Sequence, residues 1–245
     1  MPRQPRQQSG SGVHHLITRG IGKQILFEDR GDYRHYLSIL RRFCGETGVL
    51  LMAYCLMENH VHLLVRDPGG QVPLLMKKLG VSYSGYYNRK YGRSGHLFQD
   101  RYLSESVEDD AYLLAVFRYI LQNPEKAGIC PAPRYEWSSY GQYDDPASFV
   151  DTSLIRELLG DRDRYAAFLS EESDTVCLEA AGSGRNDERA KEILRTVLGA
   201  ESGVVLQSLD RAARNAGLRK LKQAGLSVRQ IERLTGISRN IVQRA

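Results

Sequence analysis

Between Leu56 and Leu63 the chain reads Leu-Met-Glu-Asn-His-Val-His-Leu, with His60 and His62 two residues apart in an apolar setting. On an extended strand, side chains two apart leave from the same face, so both imidazoles can meet one divalent cation from one side of a sheet. Neutral imidazole ligates such ions, and two ligands leave coordination positions open for substrate oxygens and water. A cation held in this way polarises a phosphodiester. The pair alone equally fits two strand histidines bonded to nearby backbone, so its partners must come from elsewhere in the chain.

A second informative spacing lies in Arg118-Tyr-Ile-Leu-Gln-Asn123, where Tyr119 and Asn123 sit four apart, one turn along a helix face. A phenol with its ordinary pKa near ~10 is a weak nucleophile and needs a polarised phosphate or a nearby base. Tyr119 is the candidate nucleophile, with the Asn123 amide oxygen reaching the same cation. The spacing also suits a core tyrosine with Asn123 closing its helix. The rival tyrosines are Tyr83, Tyr86, Tyr87, Tyr91 and Tyr112.

The elements that would position these groups follow in order. Val13 to Arg19 reads as a strand ended by Gly20 and Gly22; His14 and His15 within it face opposite sides, so only one can look toward the His60/His62 face. Helical spacing runs from Asp29 to Phe43, closed by Gly45 and Gly48. Two strands, Met52 to Met57 and Val61 to Val65, precede a helix from Val72 to Tyr91. A strand is expected at Leu97 to Leu103, then a helix from Ala111 to Gln122 halted by Asn123-Pro124. The βαββαβ order fits an α+β, ferredoxin-like split-βαβ domain. Trp137-Ser-Ser-Tyr140 is expected to pack back over it.

From Lys77 to Gln99 the cations Lys77, Lys78, Arg89, Lys90 and Arg93 alternate with tyrosines and no acid, which suits a phosphate backbone and unstacked bases. The alternative is a tyrosine core beneath a solvated charged face. The net charge of +5 over 245 residues agrees with an acidic partner. Scattered Cys44, Cys55, Cys130 and Cys177 exclude a zinc ribbon or disulfide framework. No apolar run is long enough to span a bilayer, and the basic N-terminus lacks a signal-peptide core. A cytoplasmic, nucleoid-associated protein with no membrane partner is the expectation.

Glu58-Asn-His-Val-His62, Asn88-Arg-Lys-Tyr-Gly-Arg-Ser-Gly-His-Leu-Phe-Gln99, Arg118-Tyr-Ile-Leu-Gln-Asn-Pro-Glu-Lys-Ala-Gly128 and Trp137-Ser-Ser-Tyr140, in that order, resemble the single-tyrosine HUH transposases called REP-associated tyrosine transposases. The resemblance covers roughly Val13 to Tyr143. It implies that His60, His62 and Asn123 hold Mg2+ or Mn2+, and that Tyr119 attacks single-stranded DNA to leave a 5′-phosphotyrosine and a free 3′-OH. It further implies recognition of hairpin DNA, and family members often act as homodimers. A domesticated repeat-binding relative without turnover, and a small metal-dependent phosphohydrolase using water, are the competing readings.

Beyond Asp144-Asp145-Pro146 the character changes. Residues 1–12 read as a flexible basic tail, 13–145 as the catalytic domain, 146–200 as a helical connector and 201–245 as a DNA-binding module. Within the connector, helices are expected at Thr152 to Leu159, Arg164 to Leu169 and Asp187 to Leu198, with a linker at Glu171 to Gly184. From Arg211 to Ala245 there are nine Lys or Arg and one acid. Ser227 with Gln230 forms a capping box, Gly236 ends that helix and Ser238 caps a short second one, a pattern resembling a helix-turn-helix. Arg229, Ser238, Arg239, Asn240 and Gln243 are its candidate DNA contacts, and duplex DNA is its candidate partner. A plain three-helix bundle is the alternative.

Overall fold

A computed structural model describes residues 9–171, 177 and 188–245. Its centre is a four-stranded antiparallel sheet in the order β2-β3-β1-β4, from strands β1 Val13–Arg19, β2 Leu50–Met57, β3 His60–Arg66 and β4 Leu103–Ser106. That is the split-βαβ order read from the sequence. Both faces are buried, so alternation sorts residues between two cores rather than between core and water. Leu16, Leu63 and Val65 face helices α1 Arg30–Thr47 and α2 Val72–Lys90; Val13, Ala53, Cys55 and Leu64 face helix α3 Asp110–Lys126.

The helix starts follow local chemistry. Asp29 accepts the Asp32 amide in a capping box, and Gly48 ends α1 in the left-handed region at φ 71°. The α1 helix therefore runs through Gly45 rather than stopping there. Asp109 caps α3 by accepting from the Tyr112 amide. This helix corrects the expected halt at Pro124: it continues to Lys126 with Pro124 buried inside it. Proline forfeits the bond to the carbonyl one turn back but falls in the last turn, where little helix remains to be disrupted. Asn123 is thus a helix residue and not a cap.

The fourth strand also lies later than expected. Leu97 is buried and Phe98 makes one isolated bridge to Gly20, but the ladder with β1 begins at Leu103 and pairs Leu103–Ser106 with His14–Ile17. Trp137-Ser-Ser139 does pack back: the Leu56 amide donates to the Trp137 carbonyl, the Ser139 amide to the Tyr54 carbonyl, and Trp137 stacks on Tyr33 at 4.4 Å.

The remaining helices are α4 Ser153–Leu159, α5 Arg162–Ser170, α6 Glu188–Leu198, α7 Arg211–Gln223, α8 Val228–Thr235 and α9 Arg239–Arg244. The stretch 146–200 divides its packing. Ile155, Leu159, Tyr165 and Leu169 join the α3 core, whereas Ala190 and Leu194 join Leu218, Leu221, Ile231 and Leu234 in a C-terminal core. Most of the expected linker and the tail's residues 1–8 lie outside the described residues. The two parts interlock: Ile25, from the loop after β1, is buried in the C-terminal core, and Val204 is buried in the core under α1 and α2. Among the described residues, no helix is long and apolar enough to cross a membrane.

Candidate active site

The antiparallel register places Arg19 opposite His60 and Ile17 opposite His62, on the face that α3 covers. His60 and His62 rings meet at 4.9 Å between centroids. The Tyr119 ring lies edge-on to His62 at 5.6 Å and to His15 at 6.0 Å. Asn123, one turn on, hydrogen bonds with the His60 side chain. The four residues read from sequence are therefore gathered at one place. Of the rival tyrosines, Tyr83, Tyr86, Tyr87 and Tyr91 lie on α2 or at its end, across the sheet, and Tyr112 is two turns before Tyr119 on α3 and bonds Glu105.

Three further residues orient the histidines. His60 Nδ1 is 2.7 Å from Asn59 Oδ1, and His15 Nε2 is 3.0 Å from His62 Nδ1. His15 Nδ1 in turn sits 3.7 Å from Glu105 Oε2, and burial holds the His15 ring below its ordinary pKa. An amide oxygen can only accept, so His60 Nδ1 carries a proton and its Nε2 keeps the lone pair. His62 Nε2 is buried without a hydrogen-bond partner. Burial holds His60 down at about 4 against the Asn123 bond, and it drives His62 well below its ordinary value, with His60 and His15 adding to the effect. Both rings are neutral at pH 7. Neutral rings, one with an orphaned buried lone pair, fit a cation. A partnerless buried nitrogen is costly unless something binds it. Among the described residues no three His, Cys, Asp or Glu cluster as a metal site, so the amide of Asn123 is the third donor the arrangement offers. If His62 Nε2 binds a cation, its Nδ1–H donates to His15, whose own proton then faces Glu105. Lys126 Nζ lies 5.2 Å from the Tyr119 ring centroid, bringing positive charge beside the tyrosine.

The family model described as IS200-like transposase matches residues 10–123, a span that opens just before β1 and closes on Asn123. Residues 10–123 belong to the IS200-like transposase family. The fold of the chain is also similar to a solved REP-associated tyrosine transposase bound to a REP hairpin, with a TM-score of 0.55 and 12% identity over 74% of this chain and 98% of that one. A Deinococcus radiodurans R1 crystal structure described as a candidate transposase aligns with TM-score 0.34 and 22% identity, over 49% of this chain and 95% of that one. No curated protein matches this chain.

The expected DNA contacts Arg89, Lys90 and Arg93 lie on α2 or just after it. Lys90 Nζ binds Asp29 Oδ2 and Asp32 Oδ1, each at 2.7 Å. Arg93 is buried and donates to Gln207 Oε1, Asn88 Oδ1 and the His96 carbonyl. Arg89 is exposed, but it lies on α2, across the sheet from Tyr119. The tyrosines of α2 are structural: Tyr83 and Tyr87 donate to the Leu26 and Ile25 carbonyls and hold the loop that reaches the C-terminal core. The capping box at Ser227 and the left-handed Gly236 are present as read, whereas the Ser238 side chain makes no cap bond. Arg229, Ser238, Arg239, Asn240 and Gln243 are all exposed.

Asn59, Glu105 and Lys126 belong to the site without having been singled out by spacing, and of the pair His14 and His15 it is His15 that faces it. The adjacency of Asn59 to His60 was a usable signal; His15 and Glu105 come from separate strands and had none beyond the parity of His15 in its strand.

Proposed function

We propose that this transposase is a single-stranded DNA nucleotidyltransferase that cuts and rejoins hairpin-forming DNA through Tyr119. The observation carrying the reading is the Tyr119 ring against His62, whose buried Nε2 lacks a partner. His60, His62 and Asn123 would hold Mg2+ or Mn2+, which when bound supplies Lewis acidity at a non-bridging phosphate oxygen. The phenol oxygen of Tyr119 forms the new bond to phosphorus as the bond to the 3′ oxygen breaks. The phenol proton is released and the leaving oxygen takes one up, giving a 5′-phosphotyrosine and a 3′-OH. Because the phosphotyrosine conserves the ester, the 3′-OH of a second strand reverses the step without ATP. The α3 helix holds Tyr119 and Asn123 in fixed relation, and the closed core around them limits access by water. Lys126 attracts the approaching phosphate.

A protein of similar fold was solved on a REP hairpin, which makes hairpins the first substrates to try. The test is a denaturing gel of protein with end-labelled hairpin DNA from its own locus, with and without Mn2+. A metal-dependent covalent species that Tyr119→Phe lacks is expected. Adducts that persist in Tyr119→Phe would defeat the assignment, and tight binding with no adduct would favour a binder without turnover.

A further inference from the structure

Where the C-terminal helices meet the transposase domain, a cleft of about 650 Å³ opens. Its walls come from both parts. Arg19, at the end of β1, and Lys23, in the 3-10 turn Ile21–Lys23, form one side; Arg229 and Arg233 of α8 and Arg239 of α9 form the other. One carboxylate, Glu232, also lines it; this group accepts from the Arg239 amide at 2.9 Å and pairs with its guanidinium at 3.5 Å. Five cations therefore face a single acid. The surplus positive charge points to a polyanion.

The cleft leads to the chemistry. Arg19 is the register partner of His60, and paired residues of a sheet project from the same face. One arginine thus belongs at once to the cleft wall and to the rim of the histidine site. The two walls do not slide apart freely, since Gly236 packs against Gln24 and Gln207, and Ile25 is buried among the C-terminal helices.

We propose that this cleft binds the backbone of the single strand adjoining the scissile phosphate, so that the C-terminal helices act as one wall of the active-site approach. That the strand is single and runs toward Tyr119 rests on the proposed nucleotidyltransferase activity; that the cleft takes a phosphate backbone rests on its own cations. With phosphates as its ligand, the cleft takes any base sequence, because arginine and lysine contacts to the backbone carry no sequence information.

The test uses the full chain and the double variant Lys23→Ala/Arg229→Ala, both at exposed positions. Fluorescence anisotropy is read against an oligothymidylate of about 20 nucleotides and a duplex of equal length, across a salt series. Affinity for the single strand is expected to fall roughly tenfold, with the log–log salt slope reduced by about 1.4, while duplex affinity holds. Unchanged single-strand binding, or a parallel loss for the duplex, overturns the proposal. The two readings separate cleanly. A parent protein that forms no adduct, with single-strand binding lost in the double variant, defeats the catalytic reading and leaves the cleft standing. Adduct formation with unaltered binding by the double variant does the reverse.

Discussion

Two neutral imidazoles and an amide add no negative charge to a cation, so its full charge stays available to an anionic phosphodiester. Their protonation is fixed by neighbours that contribute no ligand atom: Asn59 for His60, and His15 backed by Glu105 for His62. Such supporting groups typically govern metal affinity by 10–100-fold. His15→Leu is accordingly expected to weaken Mn2+ binding by roughly that factor, measured by calorimetric titration of the protein without DNA. Unchanged affinity would make His15 a packing residue only. At this scale the sequence was legible where the chemistry is local. His60 and His62 share a face because they are two apart, and Tyr119 and Asn123 because they are four apart. His15 needed the register of β1 on β3, and Glu105 that of β4 on β1, which no local spacing encodes.

Asp32 shows how an element can be misread by its own composition. The run of α2 cations lacks an acid within its segment, and this suggested a surface for DNA. The acids come from α1 instead. Asp32 is fully buried and receives Lys90, the Tyr86 and Tyr91 hydroxyls, and the Glu28 and Asp29 amides, while Glu46 pairs with Lys78. The charge pattern of one helix cannot reveal a partner on its neighbour more than thirty residues away. Asp32→Ala strands several of these donors in a dry site and is expected to destabilise the fold by about 3–5 kcal/mol, read from urea unfolding; a loss below ~1 kcal/mol would mean the donors find water. Element ends were misjudged for a related reason. Leu97 and Phe98 are apolar enough to suggest strand, yet the ladder forms on Leu103–Ser106, three of whose four residues are polar, where β1 has an open edge to pair with.

Across the whole molecule, the junction between the transposase domain and the C-terminal helices carries a titratable group. Glu28 is pushed up to about 7 by burial and by Asp32, against hydrogen bonds from Tyr87 and Ser202 and the charge of Lys191. Between its ordinary value and about 7 the native state keeps a proton that the unfolded chain has lost. Stability from this group is therefore present at low pH and falls as pH rises through that window, by about 3 kcal/mol at most. Glu28→Gln should flatten stability between about pH 5 and 7.5 and leave the variant more stable than the parent at pH 8, as followed by thermal unfolding in a pH series. A parallel profile for the two proteins would remove Glu28 as the cause. Ile25→Ala, which empties a site in the C-terminal core, is expected to cost about 2–5 kcal/mol. Calorimetry should show one transition moving as a whole, because the residue belongs to one part by chain and to the other by packing.

That exchange of Ile25 for Val204 bears on how such a protein can be inherited. Appended modules are often gained or lost by a single break in a gene, provided each half keeps its own core. Here a break between the halves would leave a hole where Val204 fills the transposase core and an exposed isoleucine on a loop beside the histidine site. Recombination at this boundary is therefore penalised in the folded product, and the C-terminal helices are expected to travel with their transposase domain as a unit of descent. Swapping them between relatives would succeed only where the loop that carries Ile25 is swapped as well.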